Sequence, residues 1–454
     1  MATYERHRPE NSVLYQTIAR SWPRISQEYA IAGETILPHV ETEFDRYLKC
    51  GLLEHGFVRL VCKICDEEKI IGFSCKRRGF CPSCGSRRRE QKADRLESEV
   101  WPIASVSSPT PASSPTPARQ WVLTFPHQIR YWLARSPKLF AEVIRVVTGE
   151  ISFFYEQSSV PFSKRDDVWC PTAGAVSFVQ LFGSSLALNP HLHMIFADGA
   201  WGSVKGGPTF FPLNGFTTEA MFDVLAGIHG RLDKLFRRRG YVRDDGEAEE
   251  PELAEDVPMP FRPRAPKAFR RKGRLAANPR FQQSDPDRIS VEGWANIRYK
   301  WFSLHAGVVI KGDDRVGLKR LFRYAARPSV TLSMLSYVTP EDPDRSDVEL
   351  ALKREWSDGS KSLIFSQRDL VERLASLVPP PWFNQTRYSG VFAPAHAWRD
   401  FIVPGPKRLN IWPSEDDPGD SSPPPSGKPS SGRAPAEYYI PWAINSPVSD
   451  NTLT

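Results

Sequence analysis

The chain has 454 residues, a formal charge of +7 and an isoelectric point near 9.0. That length exceeds what one hydrophobic core serves, so two or three domains are expected, and the positive balance favours an anionic partner. No apolar run approaches bilayer length, and Met1 to Pro9 lacks the apolar core of a secretory signal, which points to the cytoplasm and away from membranes.

In chain order, residues 11 to 49 read as helical, giving an N-terminal helical segment over 1–48. A cysteine-rich module follows over 49–95, with a short helix from Glu90 to Val100. The hexapeptide Ser107-Ser108-Pro109-Thr110-Pro111-Ala112 recurs unchanged at Ser113 to Ala118, so 101–118 reads as a Ser/Pro linker. Trp121 to Phe125 is a predicted strand stopped by Pro126, and Tyr131 to Val147 a predicted amphipathic helix. Ala173 to Phe182 and Pro190 to Ala197 are predicted strands, the second ending in an Asp198-Gly199 turn signal. Thr218 to Arg239 reads as a helix. Residues 241–288 turn from acidic to basic and hold few large apolar groups, the composition of a flexible insertion. A strand region (Ala295 to Ile310), a helix (Arg315 to Arg327), a turn (Trp356 to Ser360) and a helix (Gln367 to Leu377) complete the pattern. The second domain therefore spans 119–340, with a C-terminal extension over 341–410 and a disordered tail over 411–454.

Six of the seven cysteines fall between Cys50 and Cys84. In a large chain without a signal this argues for metal thiolates in a reducing compartment rather than disulfides. Cys62-x-x-Cys65 and Cys81-x-x-Cys84 are two knuckles whose spacing suits a closed tetrahedral zinc site, structural because four thiolates leave no open position. Cys50, His55 and Cys75 remain over. A second site, replacement of a knuckle cysteine, or plain small buried residues all fit them. Lys76, Arg77, Arg78, Arg87, Arg88, Arg89 and Lys92 share the module and suit contact with phosphates.

The run Asn189 to Phe196 carries His191 and His193 one pleat apart on the same side of an otherwise apolar strand. Either a divalent ion or satisfied core hydrogen bonds would account for them. On the neighbouring strand, Gln180 is the polar exception on the face of Val176, Phe178 and Phe182. Two imidazoles and an amide oxygen would leave Mg²⁺ or Mn²⁺ its full charge and open positions, suiting a phosphodiester oxygen; bonding of Gln180 to backbone is the alternative. In the helix Gly317 to Arg327, Leu318, Leu321, Phe322 and Ala325 mark the buried face, with Tyr324 at its edge. Arg320 and Arg327 flank the phenol at helical spacing, which equips it to attack phosphorus; plain packing of the tyrosine is the alternative, against which the two-histidine site in the same domain weighs.

The motifs Phe73 to Cys84, Gln180 to Ser184, Pro190-His191-Leu192-His193 and Arg323 to Pro328 together resemble the HUH (His-hydrophobe-His) endonuclease superfamily. The closer likeness is to transposases of the insertion-sequence ninety-one and common-region group. Leu377 to Pro381 and Gly390 to Pro394 extend it, so that it covers roughly 40 to 405. The resemblance implies an α/β (α+β) fold: a central antiparallel sheet bearing the histidine strand, with helices on one face and the metal site on the other. A zinc module would precede it. It further implies that His191, His193 and Gln180 hold Mg²⁺ or Mn²⁺. Tyr324 would nick single-stranded DNA through a tyrosine–5′-phosphate intermediate, in rolling-circle-type transposition. Single-stranded DNA at element ends and target would be the partner, with no small-molecule substrate, in the cytoplasm near the nucleoid. Some members carry two tyrosines four residues apart. Here the earlier position is Arg320, so a single-tyrosine enzyme is expected. A rolling-circle replication initiator and an inactive zinc-dependent DNA-binding protein are the rival functions.

Overall fold

The computed structural model describes residues 8–102, 115–159, 169–204, 207–241, 290–291, 294–356 and 359–405. Most of the expected linker, nearly all of the expected insertion and the expected tail lie outside them. Helix α1 (Val13–Ile31) starts where the Ser12 hydroxyl accepts from the Tyr15 amide at 3.2 Å, and α2 (Pro38–Tyr47) follows a break at 32–37. Strands β1 (Phe57–Val61) and β2 (Glu68–Gly72) form an isolated antiparallel hairpin. Helix α3 (Pro82–Arg95) begins well before the expected Glu90 and runs into a π-helical turn, Leu96–Val100.

Strand β3 (Ala118–Thr124) leads to α4 (His127–Arg135) and α5 (Pro137–Ser158). The single helix expected over 131–147 is thus two. Ser136 accepts from the Leu139 amide at 3.2 Å, and Pro137 has no N–H to continue the preceding turn. Then come β4 (Trp169–Thr172), β5 (Gly174–Phe182), β6 (Leu188–Ala197), β7 (Gly199–Val204), β8 (Gly207–Pro212) and α6 (Thr218–Arg238). Beyond lie β9 (Ser290–Val291), β10 (Asn296–Tyr299), β11 (Phe302–Ile310) and α7 (Arg315–Ala325). The last elements are β12 (Leu335–Tyr337), β13 (Val348–Ala351), β14 (Ser362–Phe365), α8 (Gln367–Ser376), β15 (Thr386–Gly390) and α9 (Arg399–Ile402).

Seven strands form the main sheet in the order β15-β5-β6-β3-β11-β10-β9, with antiparallel pairing throughout. The histidine strand β6 is therefore interior. The C-terminal extension supplies β15, so it completes the sheet rather than hanging from it. Pleat alternation sorts β6 cleanly: Leu192, Met194 and Phe196 join the core beneath α5 and α6, while Ile195 and Ala197 join a second core with Val176, Phe178 and α7. Helices α4, α5 and α6 cover one face. The opposite face, expected to carry the metal site, also carries α7.

Asp198 forms no hairpin turn. It is the bend at which the chain leaves the main sheet for the small sheet β4-β7-β8. Its buried carboxylate takes two bonds from Arg119, at 2.8 and 2.9 Å, and one from the Tyr155 hydroxyl at 3.0 Å, which accepts from Trp121 Nε1 at 3.1 Å. Arg119 also donates to the Ala306 carbonyl at 3.1 Å, tying β3, β11, α5 and the bend together. Removing the carboxylate strands a buried guanidinium, so Asp198→Ala should cost about 3–5 kcal/mol and Tyr155→Phe about 1–3 kcal/mol in urea unfolding. Equal midpoints for wild type and Asp198→Ala would refute this role.

Candidate functional site

The cysteine module assembles a different quartet from the expected one. Cys50, Cys75, Cys81 and Cys84 are all buried, with their sulfurs within 4.8 Å of one another. Cys50 Sγ lies 3.7 Å from Cys81 and 3.8 Å from Cys84, and Cys75 lies 3.4 Å from Cys84. Four thiolates about 2.3 Å from one tetrahedral zinc would be about 3.8 Å apart, so the quartet fits the ion without rearrangement. Cys81 and Cys84 stand at the start of α3, where unpaired amides favour thiolate. Bonds from Cys50, Cys75 and Cys81 hold the Cys84 thiol below its usual range, and the donor role toward Cys50 pushes Cys75 and Cys81 up. Phe80, packed on Phe44 at 4.7 Å and Tyr47 at 5.1 Å, anchors the loop.

Cys62 and Cys65, by contrast, are exposed between β1 and β2, outside the quartet. His55 pairs with Glu54 at 3.4 Å instead. The first knuckle is therefore corrected to Cys50 and Cys75, which the fold brings in from the end of α2 and the loop after β2. A Cys62→Ser/Cys65→Ser protein should keep the quartet's zinc by mass spectrometric metal analysis, whereas Cys75→Ser should lose it; the reverse pattern would restore the original assignment.

On the site face of the main sheet, His191 stands opposite Gln180 and His193 opposite Phe178. The imidazole centroids are 4.9 Å apart. His191 Nδ1 donates to the Asn189 carbonyl at 2.7 Å, leaving Nε2 as the lone-pair nitrogen. His193 Nδ1 meets the Gln120 side-chain amide at 2.9 Å, and its buried Nε2 has no hydrogen-bond partner. Gln120 is a residue the sequence reading missed. It is the polar member of the Ala118, Gln120, Val122 face of β3, the same signal that marks Gln180.

Helix α7 lays Tyr324 over this pair. The phenol ring is 5.4 Å from that of His193, edge to face at 89°, and 46% exposed. Gln180 pins the helix end: its Nε2 donates to the carbonyls of Ala325 at 2.8 Å and Tyr324 at 3.4 Å, and its Oε1 accepts from Arg327 Nε at 3.3 Å. The Arg327 guanidinium sits 5.2 Å from the Tyr324 ring centre, while Arg320 is exposed. Three ion pairs hold α7 antiparallel to the zinc module's helix: Arg323–Glu90 at 2.5 Å, Lys319–Asp94, and Arg315–Glu97 at 2.6 Å. Gly85 of α3 packs against Pro328, whose Cβ would lie 2.8 Å from an added methyl.

Beside Tyr324 runs a groove of about 430 Å³ lined by Arg89, Arg327, Lys353 and Arg354 together with Phe182, Tyr324 and Trp356. Among the described residues, no acidic side chain lines it. Interleaved cations and aromatic faces suit a single nucleic-acid strand, whose bases can stack while its phosphates are neutralised. Lys353, Arg354 and Trp356 escaped the sequence reading because they come from the loop after β13, distant in the chain. Of the cations singled out from sequence, Arg77, Arg78 and Arg88 line a smaller neighbouring cavity that Arg327 shares, and Lys76 and Arg87 are exposed.

Burial pushes His191 down to about 4, with Arg327 and Arg130 adding to the effect, and holds His193 well below its usual 6.5, with His191 and Arg327 contributing. Both rings are thus neutral at physiological pH. Depressed native values mean that the unfolded chain takes up these protons first. The stability they contribute is complete above about pH 6.5 and is lost as pH falls from there toward 4. In ¹³C-histidine NMR of the metal-free protein, neither ring should titrate above pH 6, with the His191 midpoint near 4. Midpoints at 6.5 would mean open, solvated rings.

The Y2_Tnp transposase family model matches residues 174–399, and the Zn_Tnp_IS91 transposase zinc-binding domain model matches residues 17–107. No curated protein and no solved structure matches the chain. The first match spans both site strands and the tyrosine helix, and the second contains the cysteine quartet and α3. Family matches and site architecture coincide, and the chain belongs to the IS91-type transposases that carry an N-terminal zinc-binding domain.

Proposed function

We propose that this transposase nicks and rejoins single-stranded DNA, with Tyr324 as the nucleophile. The observation that carries the reading is the perpendicular approach of the Tyr324 ring to His193, whose buried Nε2 has no partner, beside the lone-pair nitrogen of His191. A buried ring nitrogen with nothing to bond is costly unless an ion takes it.

His191 and His193 would hold Mg²⁺ or Mn²⁺. Gln180 Oε1 would serve as a third ligand through the lone pair that Arg327 leaves free, and Gln120 would fix the His193 tautomer by turning its oxygen to Nδ1. Such an ion supplies Lewis-acid polarisation of the scissile phosphate and neutralises its charge. Arg327 lies against the phenol ring, where it can hold a phosphate oxygen, and the phenol proton departs to solvent. The phenol oxygen then bonds to phosphorus, the bond from phosphorus to the 3′ oxygen breaks, and a 3′-hydroxyl leaves with a proton. The tyrosine–5′-phosphate conserves the bond, so an incoming 3′-hydroxyl can reverse the step without ATP. Such an exchange suits rolling-circle-type transposition. It would serve a replication initiator equally well, but the zinc-domain match favours the transposase.

With labelled single-stranded DNA from the element's ends and Mn²⁺, wild type should form a covalent adduct that survives denaturation. Tyr324→Phe should form none, and His193→Asn should lose at least about 100-fold in adduct rate while keeping its zinc. An adduct in Tyr324→Phe would remove the tyrosine from its role. A wild type that binds but never forms an adduct would favour the inactive DNA-binding alternative.

A further inference from the structure

Arg89 and Arg327 line two cavities at once. One is the groove beside Tyr324; the other, about 70 Å³, lies where the start of α3 meets β5, β15 and the residues after α7. Six cations line the smaller cavity: Arg77, Arg78, Arg88, Arg89, Lys92 and Arg327, and among the described residues no acid does. Their partners are nearly all neutral. Arg78 donates to the Phe383 carbonyl at 2.7 Å, Arg88 to the carbonyls of Lys76 and Arg77, and Lys92 to the Thr386 hydroxyl at 2.6 Å. Among the described residues, only Arg89 of the six is ion-paired with a carboxylate, Glu90 at 2.8 Å. Glu43 acts on Arg77 and Arg88 from outside the lining, with Oε1 already taken by the Gly79 amide at 2.8 Å, and burial holds it toward its neutral form. Arg77 Nε and Ser329 Oγ are buried with no hydrogen-bond partner.

Like charges gathered in a small cavity repel one another, and unpaired buried donors add a desolvation cost. The arrangement destabilises the fold unless an oxyanion enters. Lys92 registers the strain: burial, then Arg88 and Arg78, lower it to about 8, and an anion beside it would raise it again. A phosphate suits the set, since its oxygens accept from several guanidinium and ammonium donors together.

We infer that this cavity takes one backbone phosphate of the same DNA strand that occupies the Tyr324 groove, so that zinc module and sheet domain grip one strand on either side of Arg327. The inference rests on reading that groove as the strand path. It explains why the zinc-pinned helix turns Arg88, Arg89 and Lys92 toward the sheet domain instead of offering them all to bulk solvent.

The test uses the full-length, zinc-loaded Tyr324→Phe protein without added Mg²⁺ or Mn²⁺, so that binding is measured apart from cleavage. Lys92→Met and Arg77→Gln should each lower the slope of log affinity against log salt by about 0.7 for single-stranded DNA. A series of oligonucleotides carrying one neutral methylphosphonate each should reveal a position that weakens the parent protein but has no further effect in Lys92→Met. That scan on the unsubstituted pocket keeps the idea testable should either variant fold poorly. Unchanged slopes with additive losses at every position would overturn the site. Saturation by millimolar inorganic phosphate, at fixed ionic strength and uncoupled from every strand position, would overturn the strand assignment in favour of free phosphate. Adduct formation in the Tyr324 protein is scored separately. Adducts with no phosphate coupling would sink only the pocket, and coupling with no adducts would sink only the nucleophile.

Discussion

A single sheet face, divided along its length into an apolar half and a polar half, determines how this transposase is built. On that face Val176, Phe178, Ile195 and Ala197 are apolar, while Gln180, His191 and His193 are polar. Leu318, Leu321 and Phe322 of α7 bury against the apolar half. Over the polar half a helix could continue only by covering groups it cannot satisfy, and there α7 ends. Gln180 makes that boundary specific by bonding the last carbonyls of the helix, which have no intrahelical donor. Tyr324, at the edge of the final turn, is thereby left over the histidines and open to solvent. Truncation of Gln180 would leave those carbonyls without their donor and the phenol's position less fixed.

Much of this was legible in the amino-acid pattern because strands alternate strictly. Three polar residues breaking two apolar strands at matching parity had to share a face, and the helical apolar set of α7 left Tyr324 at its margin. The zinc quartet was less legible. Both knuckles have suitable spacing, but spacing does not say which thiols the fold buries, and the apolar clamp of Phe44, Tyr47 and Phe80 selects Cys50 and Cys75. The Ser136-Pro137 break was visible as a cap signal yet hidden by apolar periodicity that continues across it. The Asp198-Gly199 signal correctly marked the end of β6, but not that the bend leads into a second sheet, since the aspartate's partner Arg119 lies far away in sequence.

The charge distribution separates structural from functional cations. Arg119 is bidentate with a buried carboxylate, and Arg323, Lys319 and Arg315 are matched one by one along α3 and the π-helical turn that follows it. Exposed pairs of this kind contribute little individually, but three in register set the relative orientation of two helices. The cations of the groove and the small cavity have almost no such matches. Cations without matching carboxylates therefore gather, among the described residues, at these two cavities, which is where a polyanion would be held.

These elements make the zinc module part of the tyrosine's support. The buried quartet fixes the first turn of α3 through Cys81 and Cys84, and the same helix carries Glu90 and Asp94 past α7 with Gly85 closed against Pro328. Arg89 and Lys92, on that helix, face the cavities that Arg327 lines. A thiolate site without zinc would have to protonate or repel, and the helix start would be the first part released. Phenol position and strand grip would then loosen together, although no cysteine touches either. A module whose ion has no chemistry of its own can in this way influence the histidine face, because the helix that it pins is the surface against which the helix of Tyr324 is registered.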